Sequence, residues 1–276
     1  MKRIFLALVV ALGWSTGLAQ SSPPRPNILF LFADDLGWGD LGVTGSTSNR
    51  TPHLDKLARD GSLWTQFYVA SAVCSPSRAA YLTGLFPARL GIHGHFASAR
   101  ENEARGMPQS LNPTHPTLPR ALQASGYTTA HFGKWHLGRE YPLTDYGFTT
   151  GRDDRDGSWR LWAEPSAMST KVADETIAFI QRHRREHPDR PVYIQSWFIE
   201  PHSPVQPSAE QMEPFRHLTM AGSSYPSARQ IYAAAVGELD RNIGRILAAL
   251  DEAGLAESTL VIFSSDNGPE DPDILN

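Results

Sequence analysis

The sequence predicts an α/β protein with a mainly parallel central sheet and helices on both faces. Three largely apolar runs, at residues 27–32, 191–198 and 259–264, have the composition of strands that are buried on both faces. Two long segments with helical periodicity, about 168–187 and about 228–253, separate these runs along the chain. Each run ends in polar residues, and open α/β sheets bind their ligands at the carboxyl ends of the strands.

Composition and charge limit the classes of function. The chain has 276 residues, of which 41% are hydrophobic and 20% charged, as expected for a globular protein with one large domain or two small ones. The formal net charge of −4 excludes a generally basic surface for nucleic acid. Cys74 is the single cysteine, so the chain has no internal disulfide.

The first 26 residues have the layout of an exported protein. Two basic residues precede an apolar run at residues 4–14, and small residues follow it. This order predicts a signal peptide at residues 1–19, with a buried N-terminal helix as the alternative. Residues 20–26 are rich in serine and proline and predict an unstructured lead-in, and no later segment is long and apolar enough to span a bilayer. We therefore expect a secreted or periplasmic protein.

The first strand, at residues 27–32, runs into two adjacent carboxylates, Asp34 and Asp35. Nearby glycines allow the backbone to come close to a ligand. A turn or a helix cap is the alternative role for the two acids, but the strongly apolar strand before them favours a binding site. A short helix is predicted next, at residues 51–61.

The stretch from Cys74 to Gly84 predicts a short helix with a cysteine just ahead of its N-terminus. Pro76 suits the first helical turn, and Gly84 suits a left-handed stop. Arg78 lies one turn further along the same face and adds a fixed positive charge. Beside the positive end of the helix dipole, a thiol is expected to have a lowered pKa and an anion is expected to bind. The alternative is a small buried cysteine and a surface arginine.

The middle of the chain adds a weaker motif. Residues 62–70 are predicted to be extended, and a modest strand is predicted at residues 127–132. Lys134 and His136 follow this strand, and alternation places them on one side of the chain. A Lys-x-His pattern alone carries little information. Residues 145–165 are polar and aromatic and predict a surface loop that borders the substrate pocket.

The last two strands end in His202 and in Asp266 with Asn267. A loop histidine and an Asp-Asn-Gly turn are each common without a function, but both follow buried strands here. Because the carboxyl ends of parallel strands converge along one edge, we expect these side chains to lie near Asp34 and Asp35. Three carboxylates and an amide, with no thiolate, suit a hard divalent cation such as Ca²⁺ or Mg²⁺ rather than zinc.

The cysteine stretch resembles the signature of the type I sulfatases. The motifs that carry the resemblance are Cys-x-Pro-Ser-Arg at 74–78, Leu-Thr-Gly at 82–84, Gly-Lys-Trp-His-x-Gly at 133–138 and Pro-His-x-Pro at 201–204. The resemblance implies an alkaline phosphatase-like fold and a sulfuric ester hydrolase that acts on sulfated sugars or aryl sulfates. It also implies that a maturation enzyme oxidises Cys74 to formylglycine, and that the hydrated aldehyde is the nucleophile.

The resemblance implies a role for each candidate residue. Ca²⁺, with Mg²⁺ less favoured, is bound by an oxygen of the modified Cys74 and by four side chains: Asp34, Asp35, Asp266 and Asn267. The catalytic set consists of Cys74, Arg78, Lys134, His136 and His202. In this set, Arg78 and Lys134 stabilise the transferring group. His202 assists the departure of the leaving alcohol, and His136 assists the release of sulfate.

The resemblance covers nearly all of the chain after the signal peptide, but only the N-terminal part of a typical sulfatase. Family members continue with another sulfate-binding lysine, more sheet and a smaller C-terminal subdomain. Residues 27–276 are therefore expected to be a truncated catalytic domain that is poorly stable and weakly active alone. A formylglycine-dependent phosphonate or phosphodiester hydrolase is an alternative function. A truncated binder of sulfated glycans without turnover is another.

Overall fold

The computed structural model describes residues 25–159 and 161–269. The predicted signal peptide and residues 20–24 of the lead-in lie outside the described residues. Arg25 and Pro26 form an exposed coil that leads into the sheet. Within the described ranges, no helix is long and apolar enough to pass through a membrane.

A five-stranded parallel sheet forms the centre of the molecule. Its strands are β1 (Asn27–Asp34), β2 (Thr128–Gly133), β3 (Thr150–Asp153), β4 (Val192–Pro201) and β5 (Thr259–Ser265). Their order across the sheet is β3-β2-β4-β1-β5, and every neighbouring pair is parallel. The predicted parallel sheet is confirmed, and the carboxyl ends of its strands lie along one edge.

Helices connect the strands and cover the sheet. They are α1 (Pro52–Asp60), α2 (Cys74–Thr83), α3 (Pro87–Leu90), α4 (Ala99–Ala104), α5 (Leu118–Ala124), α6 (Met168–Glu186), α7 (Ala209–Met212) and α8 (Ala228–Glu252). Short 3-10 turns lie at Trp38–Asp40, Gly42–Thr44, Leu143–Tyr146, Leu161–Ala163, Pro165–Ala167, Glu213–Leu218 and Ala256–Ser258. The two long predicted helices are confirmed as α6 and α8, and the predicted helix at the cysteine is α2.

Strand β1 separates two hydrophobic cores, because its side chains alternate between the faces of the sheet. Leu29 and Leu31 pack in a core with residues of α6 and α8. Phe30 and Phe32 pack in a second core with residues of α2. The prediction of helices on both faces is therefore confirmed, and the edge that carries the polar strand ends is supported from both sides.

The structure differs from the prediction in two segments. Strand β3 lies inside the stretch 145–165, which predicts a loop. It is a four-residue edge strand that pairs with β2, and it carries no apolar run because it covers little core. Residues 62–70 form no strand and contain a turn, and Trp64 and Tyr68 in this segment are exposed.

Candidate active site

Asp34 and Asp35 stand where β1 ends. Asp35 has a φ of 61°, a left-handed conformation that redirects the chain at the edge of the sheet. Both side chains are buried, and Asp34 forms ion pairs with Arg78 and Lys134. Burial by itself would raise the pKa of Asp34, but Lys134 and Arg78 hold it well below its usual value. Asp34 is therefore ionised.

Cys74 is itself the first residue of α2, and Val73 before it has an extended backbone. The side chain is buried, and its Sγ lies 3.8 Å from Oδ1 of Asp35. The lowered pKa expected from the helix dipole is wrong, because burial and then the negative charge of Asp34 raise the pKa of the thiol. The thiol is held protonated, so the unmodified cysteine is a poor nucleophile in this position.

Arg78 is the buried cation of the site rather than a surface arginine. Its Nε and Nη2 lie 2.8 and 2.7 Å from Oδ2 of Asp266, and Nη2 lies 3.2 Å from Oδ1 of Asp34. Its Nη1 donates to the carbonyl oxygen of Lys134 at 3.1 Å. The guanidinium also lies over two aromatic rings, those of Phe32 at 5.4 Å and Trp197 at 5.1 Å. These contacts fix its position in the site.

Lys134 and His136 follow the end of β2. The nearly fully buried Lys134 binds Oδ2 of Asp34 through its Nζ. Nε2 of His136 lies 3.1 Å from the carbonyl oxygen of Phe96. A carbonyl oxygen only accepts, so Nε2 carries the hydrogen, and the buried Nδ1, which has no partner, is an acceptor. Burial, followed by Lys134, lowers the pKa of His136 to about 3, so the ring is neutral.

His202 follows β4 and completes one side of the site. Its Nε2 lies 3.7 Å from Oδ2 of Asp35. Its Nδ1 donates to the carbonyl oxygen of Ser203. The ring is partly exposed, whereas Asp35 beside it is buried. His202 therefore stands between the buried acids and the solvent.

Asp266 and Asn267 come directly after β5. The backbone N–H of Asp35 donates to Oδ1 of Asp266 at 3.2 Å, while Oδ2 receives Arg78. Nδ2 of Asn267 donates to Oδ1 of Asp35, and Oδ1 of Asn267 is buried without a hydrogen-bond partner. Burial and then the neighbouring Asp34 raise the pKa of both Asp35 and Asp266. The three acids are thus crowded together in a buried site.

The donor atoms of the site fit a hard divalent cation. Ligand atoms of four residues all lie within 4.8 Å of one another: Asp34, Asp35, Cys74 and His202. The unpartnered Oδ1 of Asn267 adds a further buried oxygen. The carboxylate oxygens of Asp34 and Asp35 and the amide oxygen of Asn267 suit Ca²⁺ or Mg²⁺, whereas the sulfur of Cys74 and the nitrogen of His202 are not donors that these ions favour.

The charge balance of the site also fits a cation. Three buried carboxyl side chains, Asp34, Asp35 and Asp266, face two basic side chains, Arg78 and Lys134. A buried excess of negative charge is costly unless a positive charge offsets it. Asp266 lies outside the group of four ligand residues because its oxygens face Arg78 and the Asp35 backbone, so its role as a ligand stays a prediction.

Most of the predicted site residues make direct contact with one another in the structure. His136 is placed differently, because its ring is bonded to Phe96 and its links to Lys134, Arg78 and Asp34 are electrostatic. His136 therefore borders the contact network rather than joining it.

Trp162 lies beside the site, and sequence reasoning did not identify it. Its ring centroid is 6.0 Å from that of His202, and Nζ of Lys134 lies 5.8 Å from the centroid of the indole. The available signal was the aromatic composition of residues 145–165. That signal predicted a loop at the pocket but could not single out one tryptophan.

The fold and the site define a class of protein: an α/β protein with an acid-rich centre and a buried cysteine at the carboxyl edge of its parallel sheet. The protein-family profile described as Sulfatase matches residues 26–271. The chain belongs to the sulfatase family.

Curated relatives agree with this assignment. The chain is 34% identical over 306 residues to N-acetylgalactosamine-6-sulfatase of Rattus norvegicus, a match that covers 97% of this chain and 54% of the relative. It is 34% identical over 290 residues to arylsulfatase A of Homo sapiens, with coverage of 96% and 55%. The chain spans about half the length of the curated relatives it matches.

Solved structures confirm the fold. Ps i-CgsB superimposes with a TM-score of 0.75 at 26% identity, over 89% of this chain and 59% of the other. Its complex with k-i-k-neocarrahexaose gives the same TM-score at 25% identity, with the same coverage. The phosphonate monoester hydrolase of Agrobacterium radiobacter, at a TM-score of 0.64 and 21% identity over 88% of this chain and 61% of the other, shares the fold.

Proposed function

We propose that the chain hydrolyses sulfate esters with a nucleophile made from Cys74 by oxidation to formylglycine. The observation that carries this proposal is the burial of Cys74 at the head of α2, with its Sγ 3.8 Å from Asp35. The raised pKa of the thiol disfavours thiolate chemistry. A hydrated aldehyde in the same position supplies a hydroxyl nucleophile without a thiolate. Membership of the sulfatase family supports the same choice.

The cations around Cys74 suit a tetrahedral anion. Arg78 and Lys134 are basic side chains paired with carboxylates, and the N-terminus of α2 adds a partial positive charge. Arg78 is fixed by two carboxylates and a carbonyl oxygen, so its charge is oriented before substrate binds. Such preorganised charges stabilise the transferring group in the transition state.

Ca²⁺ is the proposed metal, with Mg²⁺ as the less favoured ion. Asp34, Asp35 and Asn267 would hold it through oxygen, with Asp266 and position 74 as the further proposed ligands. A bound ion would supply Lewis acidity for the attack on sulfur. The excess of carboxyl over basic side chains supports this assignment.

Two histidines are proposed to move protons. His202 donates its Nδ1 hydrogen to the Ser203 carbonyl, so it acts in the imidazolium form, whose Nε2 also carries a hydrogen and gives that proton to the oxygen of the departing alcohol. His136 is neutral, with an unprotonated Nδ1, so it accepts a proton when sulfate is released. The two rings therefore serve opposite steps of the reaction.

The proposed substrates are sulfate esters of carbohydrates, with aryl sulfates as small analogues. The support is the name of the curated relatives, N-acetylgalactosamine-6-sulfatase. The signal-peptide layout of residues 1–19 supports a secreted or periplasmic enzyme. A formylglycine-generating enzyme of the host is the proposed maturation partner.

The test is to produce the chain together with a formylglycine-generating enzyme and to analyse the Cys74 peptide by mass spectrometry. We expect loss of the sulfur and gain of an aldehyde. We also expect hydrolysis of an aryl sulfate that a chelator abolishes and Ca²⁺ restores. The control, Cys74→Ala, is expected to lose turnover by about a thousandfold or more while keeping its unfolding transition. Hydrolysis by Cys74→Ala would contradict the mechanism.

The same experiment separates the two other functions. An aryl phosphodiester hydrolysed faster than an aryl sulfate would identify a phosphonate or phosphodiester hydrolase. An intact thiol at Cys74, with binding of sulfated glycans and no turnover, would identify a binding protein. Either result overturns the proposal.

A further inference from the structure

We propose that Trp162 is a stacking platform for the sugar ring of the substrate, on the side of the site where the alcohol leaves. This inference rests on the proposed function, and it names the chemistry that the site recognises beyond the sulfate group. The ligand is a pyranose whose sulfate points toward Cys74 and whose C–H face lies on the indole.

Trp162 is fixed at the border of the site by three neighbours. Its ring meets that of His202 edge to face, at 6.0 Å between centroids and 71° between planes. Nζ of Lys134 lies 5.8 Å from the indole centroid. Its Nε1 donates to Oδ2 of Asp154 at 3.3 Å, and Oδ1 of Asp154 accepts the backbone N–H of Trp135 at 2.8 Å. The indole is thus tied to the same backbone segment that carries Lys134.

The indole nevertheless remains open to a ligand. Trp162 is 37% exposed. Burial of a large aromatic ring is energetically favourable, so a ligand that covers the exposed part of the indole gains binding free energy. Tryptophan offers a broad, rigid, apolar face at a low cost in conformational entropy. A pyranose ring offers a matching face of C–H groups with a rim of hydroxyls. An exposed indole beside the catalytic groups is therefore suited to such a ring.

A cleft that has His202 in its lining supplies the polar rim, and the ring of His202 meets that of Trp162. Most of the lining of the cleft comes from two segments, residues 165–168 and residues 200–211. The lining residues include Pro165, Ser166, Glu200, Gln206 and Gln211. Nε2 of Gln211 donates to the carbonyl oxygen of Ser166 at 2.8 Å, which joins the two segments. Side-chain amides such as those of Gln206 and Gln211 suit the hydroxyls of a sugar.

The position of His202 sets the direction of the ligand. A nitrogen of His202 lies within 4.8 Å of ligand atoms of Asp34, Asp35 and Cys74, and its ring also meets Trp162. A substrate with its sulfate at Cys74 therefore places its ester oxygen near His202. The carbon skeleton behind that oxygen then extends over Trp162.

A purely structural role for Trp162 makes a different prediction. If the indole only positioned Lys134 and His202, its loss would lower kcat with little change in KM. A platform contributes equally to ground-state and transition-state binding, so its loss raises KM and leaves kcat nearly unchanged.

The test compares Trp162→Ala, Trp162→Leu and Trp162→Phe, with methyl galactopyranoside 6-sulfate as substrate. We expect KM to rise about tenfold in the Ala and Leu variants and less than about threefold in the Phe variant, because phenylalanine keeps an aromatic face. We expect kcat to change by less than about threefold in all three. Trp64→Ala is the matched control, because Trp64 is an exposed tryptophan of an irregular segment, and it is expected to behave as wild type.

Calorimetric binding to the inactive Cys74→Ala form provides a readout that needs no turnover. Adding Trp162→Ala to this form is expected to lower its affinity for methyl galactopyranoside 6-sulfate about tenfold. Its affinity for inorganic sulfate is expected to stay the same. A fall in kcat alone, equal loss of affinity for inorganic sulfate, or no measurable sugar binding overturns the platform. If no sulfate ester is hydrolysed but sugar binding still depends on Trp162, the proposed reaction fails and the platform stands.

Discussion

Arg78 carries a permanent charge with no exposed surface, so the side chains around it decide whether the site can fold. Its ionic partners are Asp34 and Asp266. Burial alone would lower the pKa of Arg78, but Asp266 and Asp34 raise it above its usual value, so the side chain stays charged. Removing one partner of a buried ion pair costs about 3 to 5 kcal/mol, because the other charge remains buried.

Asp34→Asn is therefore expected to lower the free energy of unfolding by about 3 kcal/mol or more, the lower end of that range, because the lowered pKa of Asp34 shows that its charge stabilises the fold, whereas Asp266 still faces Arg78. Urea denaturation monitored by circular dichroism measures the change. Asp60→Asn is the control, because its ion pair with Lys56 is exposed and is expected to contribute less than about 1 kcal/mol. Equal losses in the two variants would show that the buried pair contributes no more than a surface pair.

His131 predicts a dependence of stability on pH. The ring is fully buried between Trp135 and Trp197, and its Nδ1 lies 3.0 Å from Oε1 of Gln195. Burial lowers the pKa of His131 from 6.5 to about 4, so the unfolded chain binds this proton more readily than the folded chain. The contribution of the neutral His131 ring to the free energy of unfolding is therefore fully present above pH 6.5 and is lost as the pH falls toward 4.

We expect this residue to reduce the free energy of unfolding by about 3 kcal/mol between pH 6.5 and pH 4. His131→Asn removes the titrating group and is expected to flatten that part of the curve. The measurement is the slope of unfolding free energy against pH in both proteins. His93→Asn, which alters an exposed histidine, is expected to keep the wild-type slope. Parallel curves for His131→Asn and wild type would contradict the assignment.

At the scale of single elements, the end of β2 packs closely against the main chain of β4. Gly133 has a φ of 116°, and a Cβ there would lie 1.8 Å from the carbonyl oxygen of Trp197. That oxygen accepts the backbone N–H of Lys134 at 2.9 Å. Close packing of β2 on β4 thus positions the lysine.

Gly133→Ala is expected to lower the free energy of unfolding by more than about 3 kcal/mol, because it combines a left-handed backbone with a clash against main chain. Gly84→Ala is the matched control. Gly84 ends α2 with a φ of 70° and has open space around it. Gly84→Ala is therefore expected to lower the free energy of unfolding by only about 1 kcal/mol, from the strained backbone alone. Thermal and urea unfolding distinguish the two, and equal effects would remove the clash as the cause.

The strands and their ends could be predicted because the sequence of each buried strand is an apolar run followed by polar residues. That pattern placed Asp34, Lys134, His202 and Asp266 at one edge, and the structure has them there. Strand β3 carries no such run, because an edge strand needs little apolar surface.

Properties that depend on distant residues were beyond local patterns. The pKa of the Cys74 thiol was predicted in the wrong direction, because the helix dipole is visible in sequence whereas burial and Asp34 are not. Trp162 was missed for the same reason, since its neighbours His202 and Lys134 lie far from it along the chain.

At the scale of the whole molecule, the two edges of the sheet differ. Strand β3 is a short, polar edge. Strand β5 has seven residues, pairs with β1 on one side, and exposes 52% of Leu260 and 36% of Ile262. Within the described residues no strand pairs with the other side of β5. A long apolar edge with unpaired backbone groups favours association between chains.

We therefore expect the 276-residue chain to self-associate as its concentration rises, and the double variant Leu260→Lys with Ile262→Lys to remain monomeric over the same range. Size-exclusion chromatography with light scattering measures the molar mass. Leu63→Lys, an exposed leucine in an irregular segment, is the control and is expected to associate like wild type. A monomeric wild type, or equal behaviour of both variants, would contradict a role for the β5 edge.

The proposed reacting groups lie at the ends of β1, β2, β4 and β5 and at the head of α2. Trp162 and most of the cleft that His202 lines belong instead to the connections before α6 and after β4. Connections tolerate insertion and sequence change far better than the elements they join. Under the proposed function, a lineage with this architecture can therefore acquire a new glycan preference by exchanging loops while its chemistry stays constant. Under the same proposal, this division offers protein engineers a route to desulfating enzymes of chosen selectivity.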